Sequence, residues 1–306
     1  MSGISQALFM ITSATAGKAF GYFMGSSSNG AGPTPTLNSI ERLKFSDDTQ
    51  SVISGVLATA TSEQNACFSD TKGYSLGGYQ SAEVTTIYAL TFSGESMGTL
   101  GAVLGAVRRQ GAGVSSGNIA GYQLGGYNGG ADANTIYKLT FSGESISTLA
   151  DTIAASRSMT SNIMEGTLAG YFAGGVASGT NIVKFTFSTE TDANISGTLD
   201  TATSGASGVY SATKGYVMGT NTPSTQINDI TFSDGTSVAI SAVLPVASRF
   251  QGGVSSATAG YSLGGYQGSS TIATIYKLTF SGETISTPSA VLTTARGGEG
   301  TACVMG

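Results

Sequence analysis

Three tyrosines and four arginines recur at related places in this chain and could together hold a ligand. Tyr79, Tyr127 and Tyr266 each follow a double glycine and open a polar segment, while Arg109, Arg157, Arg249 and Arg296 lie in the stretches that join one repeated unit to the next. A tyrosine ring stacks on the apolar face of a sugar, and a guanidinium directs fixed donors at hydroxyls or carboxylates. The pattern predicts a carbohydrate-type site where a fold gathers these side chains. A purely structural use fits it too: the arginines would bond carbonyls of a neighbouring unit and the tyrosines would pack between units.

Other chemistry is thinly supplied. The absence of histidine removes the commonest general base and the commonest transition-metal ligand together. Serine is abundant, yet only a lysine or a carboxylate could activate it. Cys67 and Cys303 are too few for a disulfide framework or a cysteine zinc site and are expected as small buried thiols. Asp47-Asp48 and Glu190-Thr191-Asp192 lack the alternating carboxylates of a calcium loop and read as solvated turns. Asn194-Ile195-Ser196 has the form of a glycosylation sequon, and no phosphate-cradling glycine loop opens a helix. The expectation is a protein that is not an enzyme and uses no cofactor or metal.

The whole chain narrows this further. Its 306 residues include 45 glycines, with 40% hydrophobic and 10% charged, too apolar and too weakly charged for a disordered polymer. A net charge of −5 offers no broad field to nucleic acid. No stretch approaches the ~20 apolar residues that span a bilayer. The first basic residue is Lys18, so Met1 to Phe20 does not read as a secretory signal, and a soluble chain is expected.

The elements that must position these side chains come from repetition. A Gly-Tyr pair recurs at Gly21, Gly73, Gly121, Gly170, Gly215 and Gly260, at steps of 52, 48, 49, 45 and 45. A Phe-Ser pair recurs at Phe45, Phe92, Phe141, Phe187, Phe232 and Phe280, at steps of 47, 49, 46, 45 and 48. Both markers give six units. In the clearest unit, Arg249 to Arg296, four strands are predicted: Gly253–Ala259, Tyr261–Gly265, Ile275–Phe280 and Ile285–Leu292, the last an outer edge strand because Pro288 lacks a ladder donor. Four-stranded units of ~45–50 residues repeated radially make a six-bladed β-propeller, an all-β single domain over residues 21–306. The recurring tyrosines and phenylalanines are expected as packing between sheets. Lys138, Lys184 and Lys277, at matching strand positions, predict an exposed face.

The order Tyr261-Ser262-Leu263-Gly264-Gly265, then Ile275-Tyr276, then Arg296, resembles the Kelch repeat. The likeness runs over nearly the whole chain, though the tryptophan common in Kelch units is missing and Gly25-Ser26 replaces the double glycine of the first unit. Such a resemblance implies a propeller and little more, since Kelch-like propellers serve as enzymes, adaptors and adhesins.

Two strands compete to complete the first blade. The C-terminal segment near residues 300–305 is favoured, which makes residues 1–20 an arm; Phe9 to Ala16 is the alternative closing strand. The loops between second and third strands share a face with the inter-blade links, and they vary while the strands stay alike. That face is expected to bind. Arg109, Arg157, Arg249 and Arg296 are expected at equivalent link positions, with Thr61 and Thr203 in the other two. The composition, rich in serine, threonine, alanine and glycine, resembles virion proteins, particularly phage tail, fibre or baseplate components. It implies a virion location, with other virion proteins and a host-surface glycan as partners, no nucleic acid and no membrane insertion. A standalone lectin-like module is the alternative; an enzyme or a Kelch adaptor ranks below both.

Overall fold

The computed structural model describes residues 18–28, 37–176, 179–220, 222, 224–298 and 302–306. Six four-stranded antiparallel sheets form the blades of a propeller. Blade I consists of Phe20–Met24, Ser39–Lys44 and Thr49–Val56, with Ala302–Met305 as its innermost strand. Tyr22 pairs with Val304 and Gly21 with Met305, so among the described strands the last joins the first. The Phe9–Ala16 alternative lies outside the described residues. Blades II to VI open on the inner strands Asn65–Phe68, Ala112–Ser115, Ser161–Glu165, Ser207–Tyr210 and Gly252–Ser255. In the sixth blade the outer strand is only Thr284–Ser286 and ends before Pro288, because proline cannot donate to the ladder there.

Six sheets meet at one axis only if their inner parts are thin. The glycine of each Gly-Tyr pair faces the inner strand of the preceding blade: a Cβ on Gly73 would lie 2.3 Å from a Val304 methyl, and one on Gly170 would lie 2.6 Å from a Val114 methyl. Glycine is the residue that lets neighbouring sheets approach this closely. On Gly121 the neighbour is Cys67, fully buried. Burial pushes the Cys67 thiol well above its ordinary range and leaves it without thiolate character. In a Cys303→Ser variant, maleimide labelling of Cys67 is therefore expected only after denaturation; labelling of the native protein at pH 8 would contradict this packing.

The Tyr and Phe landmarks meet across every blade boundary. Tyr22 stacks on Phe92, Tyr74 on Phe141, Tyr122 on Phe187, Tyr171 on Phe232, Tyr216 on Phe280 and Tyr261 on Phe45, with centroids 5.1–5.5 Å apart. Each tyrosine hydroxyl also donates to a carboxylate that a basic side chain holds. Lys138 Nζ lies 2.5 Å and Tyr122 Oη 2.9 Å from Glu190 Oε1, while Lys277 and Tyr261 share Asp48. Burial, reinforced by the adjacent carboxylate, pushes these phenols well above their ordinary range, so they remain donors. Lys138 and Lys277 thus clamp blades to one another, Lys184 ties strands within its own blade, and the three do not form an exposed face; only 24–32% of each side chain is exposed.

The clamp explains a local strain. Asp48, Glu95, Glu144, Glu190 and Glu283 all sit at φ between 46° and 56°, a left-handed conformation that disfavours side chains by about 1–2 kcal/mol. Each lies three residues after a landmark phenylalanine, where the turn aims the carboxylate at the tyrosine of another blade. In the fifth blade that position is Gly235, and the acceptor for Tyr171 and Lys184 is instead Glu165 of their own blade.

The ring is closer to twofold than to sixfold. At the inner-strand ends, Phe68 N–H donates to Ser115 Oγ and Ser115 N–H to Met164 Sδ; Tyr210 N–H donates to Ser255 Oγ and Ser255 N–H to Met305 Sδ. Lys72 and Lys214, from Ser69-Asp70-Thr71-Lys72 and Ser211-Ala212-Thr213-Lys214, serve the clamp in blades II and V, where the other blades use a third-strand residue. Blades I, II and III therefore correspond to IV, V and VI.

Candidate functional site

The inter-blade links carry two interleaved rows of residues. In the first row the carbonyl accepts a backbone N–H from the glycine-rich end of the second strand: Thr61 O from Ser26, Arg108 O from Gly78, Arg157 O from Gly126, Thr203 O from Gly175, Ser248 O from Thr220 and Arg296 O from Gly265. The second row follows by one residue. Arg109 and Tyr127 exchange two backbone bonds, of 3.1 and 2.8 Å, and Arg249 and Tyr266 do the same. This corrects the expected alignment: Arg157 and Arg296 are equivalent to Arg108 and Ser248, whereas Arg109 and Arg249 form a separate pair. The sequence shows Arg108-Arg109 side by side and offers no local mark of which one keeps the register.

The first row is structural. Arg296 and Arg157 are 0% and 2% exposed. Arg296 donates to Gly25 O, Ser39 O and Ser39 Oγ at 3.0–3.2 Å and pairs with the equally buried Glu41 at 2.7 Å. Arg157 lies over the Phe172 ring. Burial lowers the affinity of Arg157 for its proton, and Asp192 partly offsets this. Neither guanidinium is presented to a ligand.

The second row reaches the loop face. The Arg109 guanidinium lies between two tyrosine rings, 4.7 Å from the centroid of Tyr127 and 5.6 Å from that of Tyr79. It pairs with the fully buried Glu63 and, through Nε, with Glu83 Oε1 at 3.2 Å. Glu63 also accepts from Gln110 Nε2 at 2.9 Å. Sequence reasoning thus named Tyr79, Arg109 and Tyr127 and missed both acids. Glu83 lies within a loop already singled out by its variability. Glu63 could have been found as an acid in a link whose twofold counterpart is Gly205.

That counterpart site is built differently. Arg249 donates to Gly268 O at 3.2 Å and lies over Phe250. Tyr266 is buried, packs edge-on against Phe250 and bonds Gly297 O at 3.3 Å. On a nearly twofold frame, the cluster at Tyr79, Arg109 and Tyr127 is therefore the departure, with two carboxylates balancing one guanidinium between two rings. Such a cluster offers carboxylate acceptors and aromatic surface, and its arginine is already engaged.

Around the axis on the same face, Gln110 N–H donates to Glu63 O, Met159 to Gln110 O, Gly205 to Met159 O and Phe250 to Gly205 O, at 2.6–2.9 Å. All five residues have φ between 56° and 64°. Beneath them lies an axial cavity of about 70 Å³ whose described lining includes Asn162 and Tyr210 and no formally charged side chain. Among the described residues, no group of three His, Cys, Asp or Glu side chains converges as a metal site would require. No known protein family matches this chain, and no curated protein matches it.

Proposed function

We propose that the protein is a non-enzymatic, structural and adhesive propeller whose loop face meets a polyhydroxylated surface, and that it serves in a phage virion, as part of a tail fibre or baseplate. One observation carries the adhesive part of this reading: a repeated frame in which Tyr79, Arg109 and Tyr127, with Glu63 and Glu83, break the internal symmetry on the face where the variable loops lie. Loops free to differ on a fixed scaffold are where recognition concentrates. The virion assignment rests on composition and on a ring whose first blade is completed by the last strand, a construction suited to durable display.

Because Glu63 and Glu83 already balance Arg109, the site favours a neutral glycan over an acidic one. Tyr127→Ala and Arg109→Gln are each expected to weaken glycan-array or host-surface binding at least tenfold while incorporation into particles is retained. An array blank at high concentration removes the adhesive reading. Recovery of the protein only in free form removes the virion reading and leaves the lectin-like alternative.

A further inference from the structure

Among the described residues, the opposite face, formed by the hairpins between first and second strands and the turns between third and fourth, carries three similar clefts. They lie between blades I and II, II and III, and V and VI, with volumes of about 710, 710 and 640 Å³. These sizes fall in the range of small-molecule sites. Each is walled by a Ser-Gly-Glu turn: Ser93-Gly94-Glu95, Ser142-Gly143-Glu144 or Ser281-Gly282-Glu283. The landmark phenylalanine and tyrosine form the floor.

Nothing in the fold requires those glycines. None of the three has positive φ. A Cβ would meet nothing closer than 4.0 Å at Gly94 and 3.8 Å at Gly143 and Gly282. Glycine without such a need makes the unfolded chain freer and the fold less stable than a larger residue would. The same position in the other three turns is Asp47, Thr189 and Asp234, which shows that the turn accepts side chains. Asp47 and Asp234 fold back onto Thr49 and Thr236 of their own turns. Glycine is found where a cleft wall would otherwise be raised.

The polar floor points the same way. Glu144 takes both Lys72 and Tyr74 on Oε1, Glu283 takes Lys214 and Tyr216 on Oε1, and Glu95 takes Arg42 and Tyr22 on Oε1. In each cleft Oε2 is left as an acceptor beside serine hydroxyls and an aromatic ring. Base and acid are already paired, so a charged ligand would have to break an ion pair, whereas a hydroxyl can add to the remaining acceptor. Asp70, which lines two of the clefts, further disfavours an anion.

We propose that these are three equivalent sites, each for one neutral polyhydroxylated ring of the size of a single hexose, on the face opposite the Arg109 cluster. The sites do not depend on that cluster. The test is native mass spectrometry and NMR titration of the full chain with methyl glycosides of glucose, galactose and N-acetylglucosamine, with N-acetylneuraminic acid as the acidic comparison. In Arg109→Gln protein, where the loop-face site is weakened, a stoichiometry of three is expected for at least one neutral glycoside, with weaker binding of the acid. The triple variant Gly94→Thr, Gly143→Thr, Gly282→Thr gives each turn the side chain that Thr189 already carries in the fourth blade. In it, binding on this face is expected to disappear while the melting temperature holds or rises. Arg109→Gln is expected to leave the ligand-induced shift changes at the three Ser-Gly-Glu turns unaltered, which separates this proposal from the loop-face reading. Absence of binding by all three neutral glycosides, preference for the acid, or undiminished binding by the folded triple variant would overturn it.

Discussion

A chain lacking residues 302–306 is expected not to fold cooperatively. The deletion strips Phe20–Met24 of its inner partner and leaves one edge of blade I unpaired at the axis. Val304 and Met305 are 0% and 3% exposed, and burying such side chains contributes about 1.5–3 kcal/mol each. The lost ladder bonds, including Gly306 N–H to Phe20 O, contribute about 1 kcal/mol each. Together these approach the 5–15 kcal/mol or so by which a domain is stable at all. The same residues fill space beside other blades: Val304 faces Gly73, and Met305 Sδ accepts the Ser255 N–H. The loss should therefore spread around the ring. Near-ultraviolet circular dichroism and thermal melts would show it, and a truncated protein melting within a few degrees of the full chain would contradict it.

Arg296→Ala is expected to cost about 3–5 kcal/mol, since it leaves the Glu41 carboxylate buried without its cation. Glu41 is 1% exposed and also accepts the backbone N–H groups of Thr293 and Thr294 at 2.7 and 3.2 Å, so it ties the end of blade VI to blade I. The paired change Arg296→Met with Glu41→Gln keeps an acceptor for that backbone and removes both charges. It should recover a substantial part of the loss, because buried ion pairs are worth little over well-packed neutral replacements. Urea denaturation of the two variants measures this. Equal destabilisation by single and double variants would show that the ion pair itself, and not the orphaned charge, carries the effect.

These two expectations concern closure, and closure is where the sequence was partly legible. The Gly-Tyr and Phe-Ser landmarks gave the number and order of blades because each is used at every boundary, the glycine for close approach and the rings for stacking. The lysines were misread because a strand position says which face a side chain occupies and not what stands opposite it. Lys138 meets Glu190, 52 residues away on the next blade. The arginines slipped by one residue because the links vary in length and only the carbonyl of Arg108 or Ser248, bonded to a distant glycine-rich turn, marks the register. The twofold likeness is visible in Gly170-Tyr171-Phe172 against Gly21-Tyr22-Phe23 once blades three apart are compared. Comparison of neighbours hides it.

The clamp sets a rule for the candidate sites as well. All seven lysines are ion-paired, and with Arg42 they belong to the turn-face half of the ring, whereas the other five arginines belong to the loop-face links. A ligand at either proposed site would meet charges that are already engaged, which favours neutral ligands on both.

Amide hydrogen exchange of the C-terminal peptide tests the ring most directly. Residues 302–305, as an inner strand, should exchange as slowly as Ala112–Ser115 of blade III and lose protection together with Phe20–Met24 in a single unfolding step. Exchange of that peptide within seconds while the other inner strands stay protected would mean that the last strand does not complete the first blade.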